Sequence, residues 1–122
     1  MQQLVKRHIS KHIEHQKNKF PIIAITGPRQ SGKTTLLKNL FSNYRYISLE
    51  NPDIRAFATE DPNGFLSEYD DKVIFDEVQR APLLFSYLQG LVDESKIMGQ
   101  FILSGSQNFH LMHGITQALR EG

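Results

Sequence analysis

The chain has 122 residues, a formal net charge of +1 and no cysteine. A chain of this length forms one domain that buries roughly two-thirds of its unfolded surface, and the lack of cysteine excludes disulfides and thiolate metal sites. The first residues are polar and basic, and no apolar run is long enough to cross a bilayer. A cytoplasmic protein without a membrane contact is therefore expected.

Residues 1–20 are predicted to form an N-terminal helix ahead of the main domain. Its five basic residues against one acid give it a charge of +4. A solvated basic face is the favoured interpretation, and contact with nucleic acid is the weakly supported alternative. The three histidines at helical spacing are better explained by an exposed face than by a metal site. They are His8, His12 and His15.

A complete G-x-x-x-x-G-K-[ST] motif runs from Gly27 to Thr34. An apolar, β-branched segment precedes it and a helical pattern over about 33–42 follows it, which is the strand–loop–helix context that the motif requires. In such a loop, backbone N–H groups surround a phosphate chain at the N-terminus of a helix. The motif predicts a site for a nucleoside triphosphate rather than a glycine-rich turn before an ordinary helix. The residues predicted to contact the nucleotide are Gly27, Pro28, Arg29, Gln30, Ser31, Gly32, Lys33, Thr34 and Thr35.

The middle of the chain predicts a short strand at 46–49 and two short helices between residues 52 and 70. Asn51 is expected to cap the first helix, with Pro52 in its first turn, and the same signal recurs at Asp61 and Pro62. The second helix is expected to turn three residues inward. They are Phe65, Leu66 and Tyr69.

Residues 73–77, VIFDE, form the second stretch that predicts chemistry, because a hydrophobic strand there ends in two carboxylates. Ligands of parallel sheets lie at the carboxyl ends of the strands. Asp76 is therefore expected beside Thr34, where both would bind Mg²⁺, and Glu77 is expected to polarise the attacking water. Lys33, which can reach the β- and γ-phosphates, and Glu77 are the predicted catalytic residues. A merely solvated strand end is the alternative.

The last third predicts a helix over about 82–95, a strand at 101–104 and a helical tail over 109–120. Ser106 follows the strand and is predicted to sense the γ-phosphate, with a helix cap as the alternative. The apolar residues expected on the buried face of the 82–95 helix are Leu83, Leu84, Tyr87, Leu88, Leu91 and Val92.

Four segments, GPRQSGKTTLL, SLENPD, VIFDEVQ and FILSGSQNF, together resemble the N-terminal ATPase domain of a prokaryotic AAA+-like family. The resemblance implies a three-layer α/β P-loop NTPase core over residues 21–122, with sheet order 5-1-4-3-2. About four mostly parallel strands would be present, flanked by helices, and the fifth strand would be missing. Asp76 would then be the Walker B aspartate and Glu77 the catalytic base, and Ser106 would lie near the first sensor position.

Members of that family continue into a further strand and a C-terminal domain. The first strand is therefore expected at a sheet edge, where self-association or contact with a missing C-terminal portion would occur. The predicted function is ATP binding with Mg²⁺-dependent hydrolysis that is weak or absent in the isolated chain, because no arginine stands in a suitable context for the transition state. A non-catalytic nucleotide-binding or protein-interaction module is the alternative. A small-molecule kinase or a GTPase is disfavoured, because the arginines do not cluster and no N-K-x-D motif follows residues 76–77.

Overall fold

The computed structural model describes residues 19–26 and 32–105, and of Thr26 and Lys33 it describes the backbone alone. Within these ranges the chain is an α/β fold built on a parallel sheet of four strands in the order β1-β4-β3-β2. The strands are β1 (Ile22–Thr26), β2 (Arg45–Ser48), β3 (Val73–Asp76) and β4 (Phe101–Gly105). The helices are α1 (Lys33–Leu40), α2 (Pro52–Glu60), α3 (Pro62–Glu68) and α4 (Leu83–Ser95), and a 3₁₀ turn spans Val78–Arg80.

The sheet confirms the predicted fold class, a parallel α/β core flanked by helices, and its strand order agrees with the expected one. In the described part of the chain β1 forms one edge of the sheet, and self-association through that edge stays a prediction. Residues 1–18 of the predicted N-terminal helix, the helical tail and Ser106 lie outside the described residues. No helix in the described ranges has the length and apolar character needed to span a bilayer.

Alternation along the strands divides the core into two layers, because successive side chains of a strand point to opposite faces. Helix α1 covers one face, where Leu37 and Phe41 pack on Ile23, Ile74 and Ile102. Helices α2, α3 and α4 cover the other face. The larger cluster on that side is centred on aromatic rings, with Phe75 against both Phe65 and Phe101.

Local capping signals place the helix starts where the sequence predicts them. The side chain of Asn51 accepts hydrogen bonds from the N–H groups of Asp53 at 2.9 Å and Ile54 at 3.2 Å. The Asp61 carboxylate accepts from the N–H of Gly64 at 3.1 Å, and a proline follows each cap. These carboxyl and amide oxygens satisfy N–H groups that have no partner within the helix.

The predicted buried face of α4 is partly wrong. Leu83 is 48% exposed and Tyr87 is 37% exposed, while Phe85 is buried beside Leu84 and Leu88. The helix carries two adjacent apolar stripes, and periodicity alone does not decide which of them meets the sheet. Smaller differences concern α1, which ends at Leu40 rather than near 42, and Tyr69, which is only half-buried.

Candidate functional site

The chain enters α1 through Gly32, whose φ of 79° and ψ of 11° lie in the left-handed region. A Cβ at this position would meet nothing within 4 Å, so the backbone conformation rather than lack of space favours glycine. The carbonyl of Gly32 accepts the first helical hydrogen bond, from the N–H of Leu36 at 3.0 Å. Thr34 is thereby held in the first turn of α1. Residues 27–31 of the predicted loop lie outside the described ranges.

The first turn of α1 meets the end of β3. The hydroxyl of Thr34 donates a hydrogen bond to Oδ2 of Asp76 at 3.1 Å, although the two residues are 42 positions apart in the chain. This contact joins the helix end of the predicted phosphate loop to the predicted Walker B strand.

Asp76 is 5% exposed and accepts hydrogen bonds at both of its carboxylate oxygens. Oδ1 accepts from the hydroxyl of Ser104 at 2.6 Å and from the N–H of Glu77 at 2.9 Å. Oδ2 accepts from the hydroxyls of Thr34 and Tyr46. A buried carboxylate is costly unless such donors compensate for the lost water, and these four donors provide that compensation.

Strand register explains why these donors meet. Asp76 stands directly beside Ser104 of β4 and directly beside Ser48 of β2. Tyr46 precedes Ser48 by two residues and so shares its face of β2, and a long side chain there reaches the diagonal neighbour on β3. All these residues lie on the face that α1 covers.

Tyr46 is held from two sides. Its hydroxyl donates to Asp76, and the Lys38 Nζ lies 4.3 Å from the centre of its ring. Burial, and then the bond to the Asp76 carboxylate, raise the pKa of the Tyr46 phenol far above its usual value of about 10. The phenol therefore stays protonated at neutral pH and donates a hydrogen bond to Asp76.

Glu77 has an unusual backbone. Its φ of 54° and ψ of 44° place a non-glycine residue in the left-handed region, a strained conformation that is enriched at functional sites. The residue is 5% exposed, and Oε1 accepts from Nε2 of Gln79 at 2.8 Å. The Arg80 Nε lies 4.0 Å from the same oxygen. The second carboxylate therefore leaves the strand in a direction different from that of Asp76 and has its own partners.

The donor set suits a hard divalent cation. Thr34 uses its single proton on Asp76, so the lone pairs of its hydroxyl oxygen remain for a cation. In the described ranges no group of three or more histidine, cysteine or acidic residues could hold a metal. Mg²⁺ needs no such group, because it is commonly held by one or two protein oxygens together with waters and phosphate oxygens. Thr34 and Asp76 are thus better suited to hold Mg²⁺ than to hold a transition metal.

Of the residues predicted for the site, the structure brings Thr34 and Asp76 into contact and places Glu77 next to them. Thr35 is exposed on α1. Sequence reasoning missed Tyr46 and Ser104. Because side chains alternate between the two faces of a strand, the segments RYIS and FILS could have indicated that Tyr46 and Ser104 lie on the α1 side of the sheet. Their contact with Asp76 could be predicted only once the strand order was known.

A cleft of about 600 Å³ lies elsewhere, between α3 and α4. It is lined by residues that include Leu66, Asp70, Tyr87 and Glu94. Helices α3 and α4 cover the face of the sheet opposite to α1. The cleft is therefore separate from the site at Asp76, despite its size.

Comparison with known proteins agrees with this fold. Residues 19–121 match the family AAA_14, described as an AAA domain. Two curated relatives are 31% identical to the chain over 116 residues, the uncharacterized proteins Mb2031c of Mycobacterium bovis and Rv2008c of Mycobacterium tuberculosis. The match takes in 93% of this chain and 26% of each relative, so the chain spans about a quarter of their length. No solved structure gives a significant match. With a family match over most of its length and a parallel α/β core, the chain belongs to the AAA_14 family of nucleotide-binding AAA domains.

Proposed function

We propose that the chain binds ATP together with Mg²⁺, with residues 27–35 around the phosphates and with Thr34 and Asp76 on the metal side. The hydrogen bond of 3.1 Å between Thr34 and Asp76 is the observation that carries this proposal. It joins the first turn of a helix, which favours anions, to a carboxylate, which favours cations, and a metal–triphosphate complex needs both.

Strand order supports the same location. The carboxyl ends of β1, β4 and β3 lie side by side, as the pairs Thr26 with Gly105 and Asp76 with Ser104 show. Because β4 lies between β1 and β3, we expect the loop after β1 and the acids at the end of β3 to flank one crevice. Open α/β sheets bind their ligands in crevices of this kind.

Each residue of the site has a role that its chemistry allows. When bound, Mg²⁺ supplies positive charge that stabilises the phosphate oxygens during transfer. We expect the Thr34 hydroxyl and the Asp76 carboxylate to hold that ion and its waters, and Lys33 to neutralise the β- and γ-phosphates. Glu77 is expected to accept the proton of the attacking water, after its carboxylate has exchanged the bond to Gln79 for that water.

Hydrolysis by the isolated chain is expected to be slow. An arginine at the transition state contributes about 10³–10⁵ in rate. Arg80 stands near Glu77, but its guanidinium lies within 4.0 Å of both the Glu50 and the Glu77 carboxylates. A second candidate, a module that binds nucleotide without hydrolysing it, is favoured by the burial of Glu77 and its bond to Gln79.

Equilibrium binding of ATP in the presence of Mg²⁺ tests the proposal. Lys33→Ala is expected to weaken ATP binding by at least about tenfold, a loss of about 1.4 kcal/mol. Lys19→Ala removes the same charge from an exposed residue at the opposite end of β1 and should leave binding unchanged. Glu77→Gln should bind ATP and release no phosphate. ATP binding that is equal in Lys33→Ala and the wild type would contradict the proposal, and phosphate release that survives in Glu77→Gln would contradict the role of Glu77.

A further inference from the structure

Within the described part of the chain, hydrogen-bond donors to Asp76 match the whole acceptor capacity of its carboxylate. An ionised carboxylate offers about four lone-pair positions, two on each oxygen. Ser104 and the N–H of Glu77 take those of Oδ1, and the hydroxyls of Thr34 and Tyr46 take those of Oδ2. A water molecule on a metal ion next to Thr34 would also need to donate to Asp76. We therefore expect one of these four described donors to leave before that water binds.

Three of the four donors are poorly suited to leave. The N–H of Glu77 belongs to the backbone of the next residue, and Ser104 is fully buried in the middle of the sheet. The Thr34 hydroxyl is the expected metal ligand, and while it donates its proton to Asp76 its lone pairs would be available to a metal. Tyr46 is different, because it is half-buried and stands on the edge strand β2 of the described sheet.

We propose that Tyr46 is a competitor built into the metal site, whose hydroxyl occupies the acceptor position on Asp76 that a Mg²⁺-bound water requires. Binding of Mg²⁺ with ATP then displaces the Tyr46 hydroxyl from Oδ2. The Lys38 ammonium, 4.3 Å from the centre of the Tyr46 ring, favours the position in which the hydroxyl blocks Asp76. This inference rests on the proposed function, since it concerns the same nucleotide site.

The test compares the Mg²⁺ dependence of ATP binding in the wild type and in Tyr46→Phe. Phenylalanine keeps the ring and the packing but lacks the hydroxyl. Because a hydrogen bond to a charged group no longer has to be broken, the Mg²⁺ concentration that gives half of the full increase in ATP affinity should fall about tenfold. ATP affinity in EDTA should be unchanged, since it depends on the loop and Lys33 and not on Asp76.

Tyr44→Phe is the matched control. Tyr44 lies in the same cluster under α1, but its hydroxyl donates to the carbonyl of Gly99 and not to Asp76. Its Mg²⁺ dependence should equal that of the wild type. Lys38→Met gives a second variant should Tyr46→Phe fold poorly. It should shift the Mg²⁺ dependence in the same direction by a smaller factor, because it only loosens the hold on the ring.

The outcomes separate this inference from the proposed function. A lower Mg²⁺ requirement in Tyr46→Phe, a smaller decrease in Lys38→Met and no change in Tyr44→Phe support the competitor role. A wild type that binds ATP in a Mg²⁺-dependent way, with Tyr46→Phe unchanged or needing more Mg²⁺, overturns the competitor role and leaves the ATP site standing. A wild type that binds no ATP with or without Mg²⁺ overturns both.

Discussion

Replacing Ser104 by alanine removes one hydroxyl from the donors around Asp76 and little else. Ser104 is fully buried at the end of β4, and its hydroxyl donates to Oδ1 of Asp76 at 2.6 Å. Alanine keeps the Cβ, so the change leaves the packing of the strand nearly intact. The effect of the substitution is therefore dominated by the loss of one hydrogen bond to a buried carboxylate.

The size of the effect follows from the remaining partners. A hydrogen bond to a charged group contributes about 1.5–3 kcal/mol to stability. Oδ1 still accepts from the N–H of Glu77 at 2.9 Å, so it is not left without a partner, and a value in the lower half of that range is expected. A loss of about 2 kcal/mol in the free energy of unfolding lowers the urea midpoint by roughly 1 M for a protein of this size.

Ser48→Ala is the control for this measurement. Ser48 stands beside Asp76 in the register of β2, as Ser104 does in β4, but its hydroxyl oxygen accepts from the N–H of Glu50 at 3.3 Å instead. Urea unfolding of Ser48→Ala should show a loss below about 1 kcal/mol. Equal midpoints for Ser104→Ala and Ser48→Ala would refute the reasoning that Ser104 stabilises the fold through Asp76.

Two further predictions concern stability. Gly90→Ala, in the interior of α4 where a Cβ would meet nothing within 4 Å, should raise the free energy of unfolding by about 0.5–1 kcal/mol. In Gly64→Ala the same gain should be cancelled, because the new Cβ would lie 2.2 Å from Oδ2 of Asp61 and push the capping carboxylate aside, at a cost of about 1 kcal/mol. An equal rise in the thermal unfolding temperature of both variants would contradict this account of the cap. Burial, and then the charge of Asp71, raise the pKa of Tyr44, so its contribution to stability is fully present below the unfolded pKa of about 10 and is lost as pH rises through the folded value. Urea unfolding over roughly pH 9 to 11 should therefore show a steeper decline for the wild type than for Tyr44→Phe, and parallel declines would argue against a shifted phenol.

Much of the fold was predictable because its signals are local. The caps at Asn51 and Asp61 depend on a side chain and N–H groups two or three residues away, so a short window contains the whole interaction. The predicted contact between Thr34 and Asp76 follows from a general rule, that the carboxyl ends of parallel strands meet at one edge of the sheet. A rule of this kind needs only the order of strands and helices along the chain.

The buried face of α4 could not be predicted in the same way, because it depends on which side of the helix packs against the sheet. The two apolar stripes of α4 are equivalent in the sequence, and contact with the sheet buries Phe85 while leaving Leu83 and Tyr87 exposed. Residues 27–31 and Ser106 stay predictions, since the structure does not describe them.

The sequence by itself determined that a phosphate-loop motif opens a helix, that a hydrophobic strand ends in two acids and that the elements alternate as in a parallel α/β sheet. Tertiary structure decided which side chains surround the first of those acids. Tyr46 and Ser104 reach Asp76 because β2 and β4 flank β3 in one register, and strand register is a long-range property that no window of the sequence contains.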